Sequence, residues 1–230
     1  MDGRGALRYY VLVGLGIALM VAALYMVFVY VPTDKNTGVV QRIFYFHVPL
    51  AWIGFLAFFV VFICSILYLT KRAIKWDTIA SASAEVGVIF TSLVLITGTV
   101  WAKAAWGIWW TWDARLTATL ILWFTYVAYL LVRQYATEEN QRARLGAVIG
   151  IVGFIDVPIV VLTVMLWRTQ HPGVIIFEGG LVPSMMLTLL VCIVAFTFLY
   201  FILLTQSTRL KNLEADIRDM KDMQTEQERN

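Results

Sequence analysis

Six stretches of this chain are apolar enough, for long enough, to cross a lipid bilayer, and that constrains its fold more than any other feature. A spanning helix needs about 20 mainly apolar residues to cover a hydrocarbon core of roughly 30 Å. The stretches run approximately over Tyr9–Val31, Phe46–Leu69, Ile79–Val100, Leu116–Val132, Gly146–Trp167 and Val182–Leu204. Composition agrees. Hydrophobic types make up 60% of 230 residues, charged types 14%, and the mean hydropathy is +0.78. An ordinary soluble domain is only about 45–50% apolar. The first stretch is too long for the apolar region of a cleaved signal and carries no convincing cleavage site, so it reads as a retained span. The expected fold is all-α: a polytopic membrane protein of six transmembrane helices, residues 1–205, followed by a charged tail, 206–230.

Basic residues set the expected orientation. The N-terminus, the second and fourth loops and the tail together hold thirteen of the 18 Lys and Arg residues, among them Lys71, Arg72, Lys75, Arg133, Arg142 and Arg144. The opposite side holds Lys35, Arg42, Lys103, Arg115 and Arg168. The positive-inside rule therefore predicts cytoplasmic N- and C-termini, with loops one, three and five facing outward. A net charge of +3, dispersed along the chain, argues against a nucleic-acid partner. Cys64 and Cys192 each lie inside an apolar run, and no CxxC spacing exists, so thiol redox chemistry and zinc binding have no support.

Two residue types then stand out by placement. The chain has nine tryptophans, and five of them fall between Trp101 and Trp112 in the third loop, with Trp106, Trp109 and Trp110 between those two. If this segment is helical from Trp106 onward, Trp106, Trp109, Trp110, Asp113 and Thr117 share one face, while Trp112 points elsewhere. The interfacial preference of tryptophan explains one or two indoles per loop; it does not explain five. The only two histidines, His47 and His171, are expected at the outer membrane face on either side of that loop. A porphyrin suits such a platform: its face stacks on indoles, its iron takes axial imidazoles and its propionates seek arginine. On this reading His47 and His171 are the iron ligands, and Arg42 or Arg115 is a candidate propionate partner. The competing readings are packed or capping histidines and arginines that simply anchor the interface.

The segment Trp106-Gly107-x-Trp109-Trp110-x-Trp112-Asp113-x-x-x-Thr117 resembles the "WWD" signature of the haem-handling family. The segments Gln41-Arg42-Ile43-Phe44-Tyr45-Phe46-His47-Val48-Pro49, Asp156-Val157-Pro158-Ile159-Val160 and Gln170-His171-Pro172 narrow the resemblance to the CcmC type of cytochrome c maturation. It extends from about Gln41 to Leu204. The resemblance implies binding of haem b at the external, periplasmic face of a bacterial inner membrane and transfer to the haem chaperone CcmE. It implies work alongside the CcmA/CcmB ATPase and the small CcmD. It also assigns His47 and His171 as axial ligands, and gives Trp106, Trp109, Trp110, Trp112 and Asp113 to the loop that holds haem and meets the chaperone. Larger relatives that attach haem to apocytochromes carry a further histidine pair, which two histidines cannot supply.

No side-chain nucleophile or catalytic constellation emerges, so a handling protein is expected rather than an enzyme. Rival functions are a transporter moving haem through its own bundle and a b-type electron-transfer cytochrome. The first asks for polar groups at the midplane, where Asp156 stands nearly alone; the second favours histidines deeper in the spans. Asp156 and Pro158 are expected to serve helix packing. Glu85 is expected to snorkel or bond across helices. Leu210, Leu213, Ile217 and Met220 give the tail a short apolar stripe on an otherwise solvated helix.

Overall fold

The computed structural model describes residues 3–35, 37–136, 138–166 and 181–229. The described residues form seven α-helices: α1 Gly3–Tyr25, α2 Phe44–Lys71, α3 Ile74–Trp106, α4 Ala114–Tyr135, α5 Glu139–Phe154, α6 Asp156–Leu166 and α7 Pro183–Arg229. A π-helical turn, Met26–Tyr30, ends α1, and a 3₁₀ turn, Val39–Ile43, leads into α2. Six helical segments have the length and apolarity to cross a membrane. The chain is an all-helical, multi-pass membrane protein.

Observed helices overrun the apolar stretches because hydropathy marks the hydrocarbon core, not the helix ends. At about 1.5 Å per residue, the 33 residues of α3 reach roughly 50 Å, so its last turns lie beyond a 30 Å core. The fifth span also starts early, at Glu139, but it is not continuous. It breaks at Ile155 into α5 and α6. Pro158 has no N–H to offer the Phe154 carbonyl, and its ring collides with that carbonyl, which forces the interruption. The last helix is continuous from Pro183 through the charged segment to Arg229.

Helix α2 packs along α3, and α4, α5 and α7 close around that pair. Small residues make this possible: Ala80, Ser81, Ala82, Ser83 and Ala84 are buried in succession on α3. In lipid, where there is no hydrophobic drive between helices, such close approach lets dispersion and hydrogen bonds hold the bundle. Ser83 does both. Its Oγ donates to the Ala57 carbonyl of α2 at 2.8 Å and lies 2.9 Å from the Tyr200 hydroxyl of α7.

One end of the bundle carries the turn between α2 and α3. There Arg133 of α4 grips Asp77 of α3 in a two-pronged pair, with N···O distances of 2.5 and 2.7 Å. Nearby, Glu85 accepts from Ser207 and Lys211 of α7. Glu85 thus bonds across helices, one of the two roles its sequence position suggests. At the other end, α2 begins and α3 gives way to α4.

Candidate functional site

His47 is the fourth residue of α2, and its ring lies against the last turns of α3. Three α3 residues receive it. Thr97 Oγ1 is 2.8 Å from His47 Nδ1. Gly98 supplies bare backbone, since a Cβ there would stand only 3.1 Å from His47 Cε1. Trp101 meets the imidazole edge-on, with centroids 6.0 Å apart and planes at 76°. Trp101 is itself buried and held edge-to-face by Phe44. The residues 97, 98 and 101 lie within one helical turn and a residue, so a single rigid element fixes the ring.

The third loop is not the helix that its tryptophan spacing predicts. Helix α3 stops at Trp106 because Gly107 adopts φ 77°, a left-handed conformation that side chains disfavour. Its N–H closes on the Lys103 carbonyl at 3.0 Å, and Lys103 Nζ returns to the Gly107 carbonyl. Helix α4 starts at Ala114 because Asp113 caps it. Asp113 Oδ1 accepts the N–H groups of Arg115 and Leu116, each at 3.0 Å, while Oδ2 accepts the Thr111 hydroxyl. Residues 107–113 therefore form an irregular bridge with a fixed stop and a fixed start. Trp106, Trp109, Trp110, Asp113 and Thr117 do not share one helix face.

The bridge presents its indoles at different depths. Trp112 is 75% exposed and Trp109 58% exposed. Lys103 Nζ sits 5.8 Å from the centre of the Trp109 ring. Trp110 is half-buried and edge-on to Trp112 at 5.6 Å, and its Nε1 is buried without a hydrogen-bond partner. Trp109 and Trp112 thus leave large flat apolar faces exposed on the bridge.

Two cavities meet beside His47. One, of about 60 Å³, is lined by His47, Gly98, Trp101, Trp106, Asp113 and Arg115 among others. The other, of about 180 Å³, runs between the helices past His47, Thr91, Arg115 and Leu122. Arg115 borders both, and its Nε is buried without a hydrogen-bond partner. Thus His47, Trp106, Asp113 and Arg115 are brought together, with Trp109, Trp110 and Trp112 on the adjoining bridge. Arg42 does not line either cavity; its guanidinium lies over the Phe28 ring, 5.8 Å from its centre. His171 lies outside the described residues. Sequence reasoning missed Thr97 and Gly98 and gave Trp101 no role; the 97, 98, 101 spacing toward the end of an apolar span was the only signal.

The family model described as CcmC, heme exporter protein C, matches residues 5–223 of the chain. Heme exporter protein C of Bradyrhizobium diazoefficiens is 36% identical over 196 residues, covering 84% of this chain and 74% of the relative. Heme exporter protein C of Haemophilus influenzae is 32% identical over 211 residues, covering 90% and 83%. A protein of Marchantia polymorpha, whose name assigns it as a ccmC-like mitochondrial protein to cytochrome c biosynthesis, is 31% identical over 201 residues, covering 86% of each chain.

Proposed function

The chain belongs to the heme exporter protein C family, and we propose that it binds haem b at the end of the bundle bearing the 107–113 bridge and presents it for transfer to the haem chaperone CcmE. In this reading that end faces the periplasm, both termini are cytoplasmic, and the protein works with CcmA, CcmB and CcmD in the inner membrane. The observation that carries the proposal is His47, seated in a fitted receptacle on α3 beside an exposed tryptophan bridge.

The residues fit an iron porphyrin, which when bound supplies axial coordination positions and two carboxylates. Cavities of about 60 and 180 Å³ fall below the roughly 300–1,000 Å³ that encloses a drug-sized ligand. These cavities would not enclose the macrocycle; the exposed indoles of Trp109 and Trp112 would help to hold it, and His47 would ligate the iron. His171, from the following external segment, is the second ligand. Arg115, with a buried Nε in want of an acceptor, takes a propionate. Arg42 serves the second propionate only if it leaves Phe28. Asp113 acts on haem indirectly, by shaping the bridge. Release follows when the chaperone competes for the imidazoles, so no bond need be made or broken by a protein nucleophile.

The test is the haem absorption spectrum of the purified protein against His47→Ala and His171→Ala. Each variant is expected to lose or change the haem band. Unchanged haem content and spectrum in both would overturn the ligand assignment. Coexpression with the chaperone then tests delivery: a histidine variant that loads the chaperone at the wild-type level would overturn presentation through those ligands.

A further inference from the structure

We propose that Thr97 is a positioning residue for the iron ligand: its hydroxyl holds His47 as the Nδ1–H tautomer and so makes Nε2 the donor atom. The inference rests on the reading that His47 ligates haem iron. A threonine hydroxyl has one proton and two acceptor lone pairs. That proton is committed to the helix, because Oγ1 lies 2.7 Å from the Leu93 carbonyl and 3.3 Å from that of Val94. This is the back-bond a threonine makes inside a helix. A lone pair of Oγ1 is therefore what faces His47 Nδ1 at 2.8 Å. Only an N–H can meet it favourably; the opposite tautomer would set two lone pairs against each other. The proton on Nδ1 leaves the lone pair on Nε2, the neutral state that metal ligation requires.

The neighbours reinforce the assignment. Gly98 admits the ring edge at Cε1, and Trp101 meets the ring edge-on at 6.0 Å between centroids. The nature of the partner has a second consequence. A carboxylate on the outer nitrogen raises the basicity of a ligating imidazole. A neutral hydroxyl already donating to helix carbonyls does so much less. The Thr97 hydroxyl thus fixes the ring without the added basicity that a carboxylate at Nδ1 would bring.

The experiment is hemin titration of the purified full chain together with the visible and electron paramagnetic resonance spectra of the ferric complex. Thr97→Val, close in shape but without the acceptor, is expected to weaken hemin binding about 10–100-fold, the range seen when a metal ligand loses its outer partner, and to shift the low-spin signal. Thr97→Ser is expected to restore both, and Thr97→Ala to match Thr97→Val should the valine variant fail to fold. Wild-type affinity and spectra in monodisperse Thr97→Val or Thr97→Ala protein would overturn the inference. Equal impairment of Thr97→Ser and Thr97→Val would overturn it as well, since the hydroxyl would then be irrelevant. His47→Ala separates the two levels. An unchanged spectrum there removes the ligand reading itself, whereas a changed spectrum alongside an unaffected Thr97→Val removes only the role of Thr97.

Discussion

Gly98 turns the local geometry into a prediction whose two readouts move in opposite directions. A methyl group there would stand 3.1 Å from His47 Cε1, inside ordinary van der Waals contact, so the imidazole must shift by a few tenths of an ångström. The 2.8 Å contact with Thr97 depends on the same ring position. Alanine, on the other hand, favours a helix over glycine by about 0.5–1 kcal/mol. Gly98→Ala is therefore expected to keep or raise the thermal unfolding temperature in detergent while lowering hemin affinity in titration. Loss of both together would mean that Gly98 matters for packing alone. At this scale the sequence was legible where residues are rare. Two histidines and a cluster of tryptophans draw attention by number. Thr97 and Gly98 do not, because threonine and glycine are ordinary in membrane helices, and a partner fifty positions away leaves no mark in one sequence.

The bridge between α3 and α4 shows how local stop and start signals override a periodic pattern. Indoles at positions 106, 109 and 110 satisfy helical spacing, and the helical expectation followed from it. Gly107 in a left-handed conformation and Asp113 at an N-cap outweigh that spacing, because each settles orphan backbone groups that a continuing helix would have to place elsewhere. Spans were easier to read, since hydropathy over 20 residues is a strong signal, but the break at Ile155 needed the geometric consequence of Pro158 as well. Capping makes its own forecast. Asp113→Ala removes the acceptor for two backbone N–H groups and for the Thr111 hydroxyl; it is expected to cost about 0.5–2 kcal/mol. Asp113→Asn keeps an acceptor oxygen and is expected to cost less. Because Trp109 and Trp112 sit on the bridge, its loosening should also show as altered tryptophan emission and faster quenching by acrylamide. Unchanged emission and stability in Asp113→Ala would remove the capping account.

Across the whole molecule, α3 links two chemically different ends. Thr97 lies 20 residues from Asp77, which on one helix is about 30 Å. The Asp77–Arg133 pair is bidentate and its side chains are only 6% and 9% exposed. Removing one member strands the other charge in a poorly hydrated place, which typically costs about 3–5 kcal/mol, whereas replacing both by apolar residues of similar volume is often neutral. Asp77→Ala is accordingly expected to lower the unfolding temperature strongly, and Asp77→Leu with Arg133→Met to recover most of the loss. The Lys211–Glu85 pair is far more exposed, so Lys211→Ala is expected to change stability by no more than about 1 kcal/mol.

The two ends then make a joint prediction. Sites this far apart, with no shared partner, contribute nearly additively. Asp77→Ala protein kept folded at low temperature should bind hemin with the wild-type spectrum and affinity, and Gly98→Ala should leave the Asp77–Arg133 contribution to stability intact. Combining the two substitutions should give the sum of their separate effects on unfolding and only the Gly98 effect on hemin binding. A haem spectrum that changes in Asp77→Ala would show instead that α3 carries strain between the ends. The surroundings of His47 would then be coupled to whatever engages the Asp77 end of the bundle, where Glu85 holds α7.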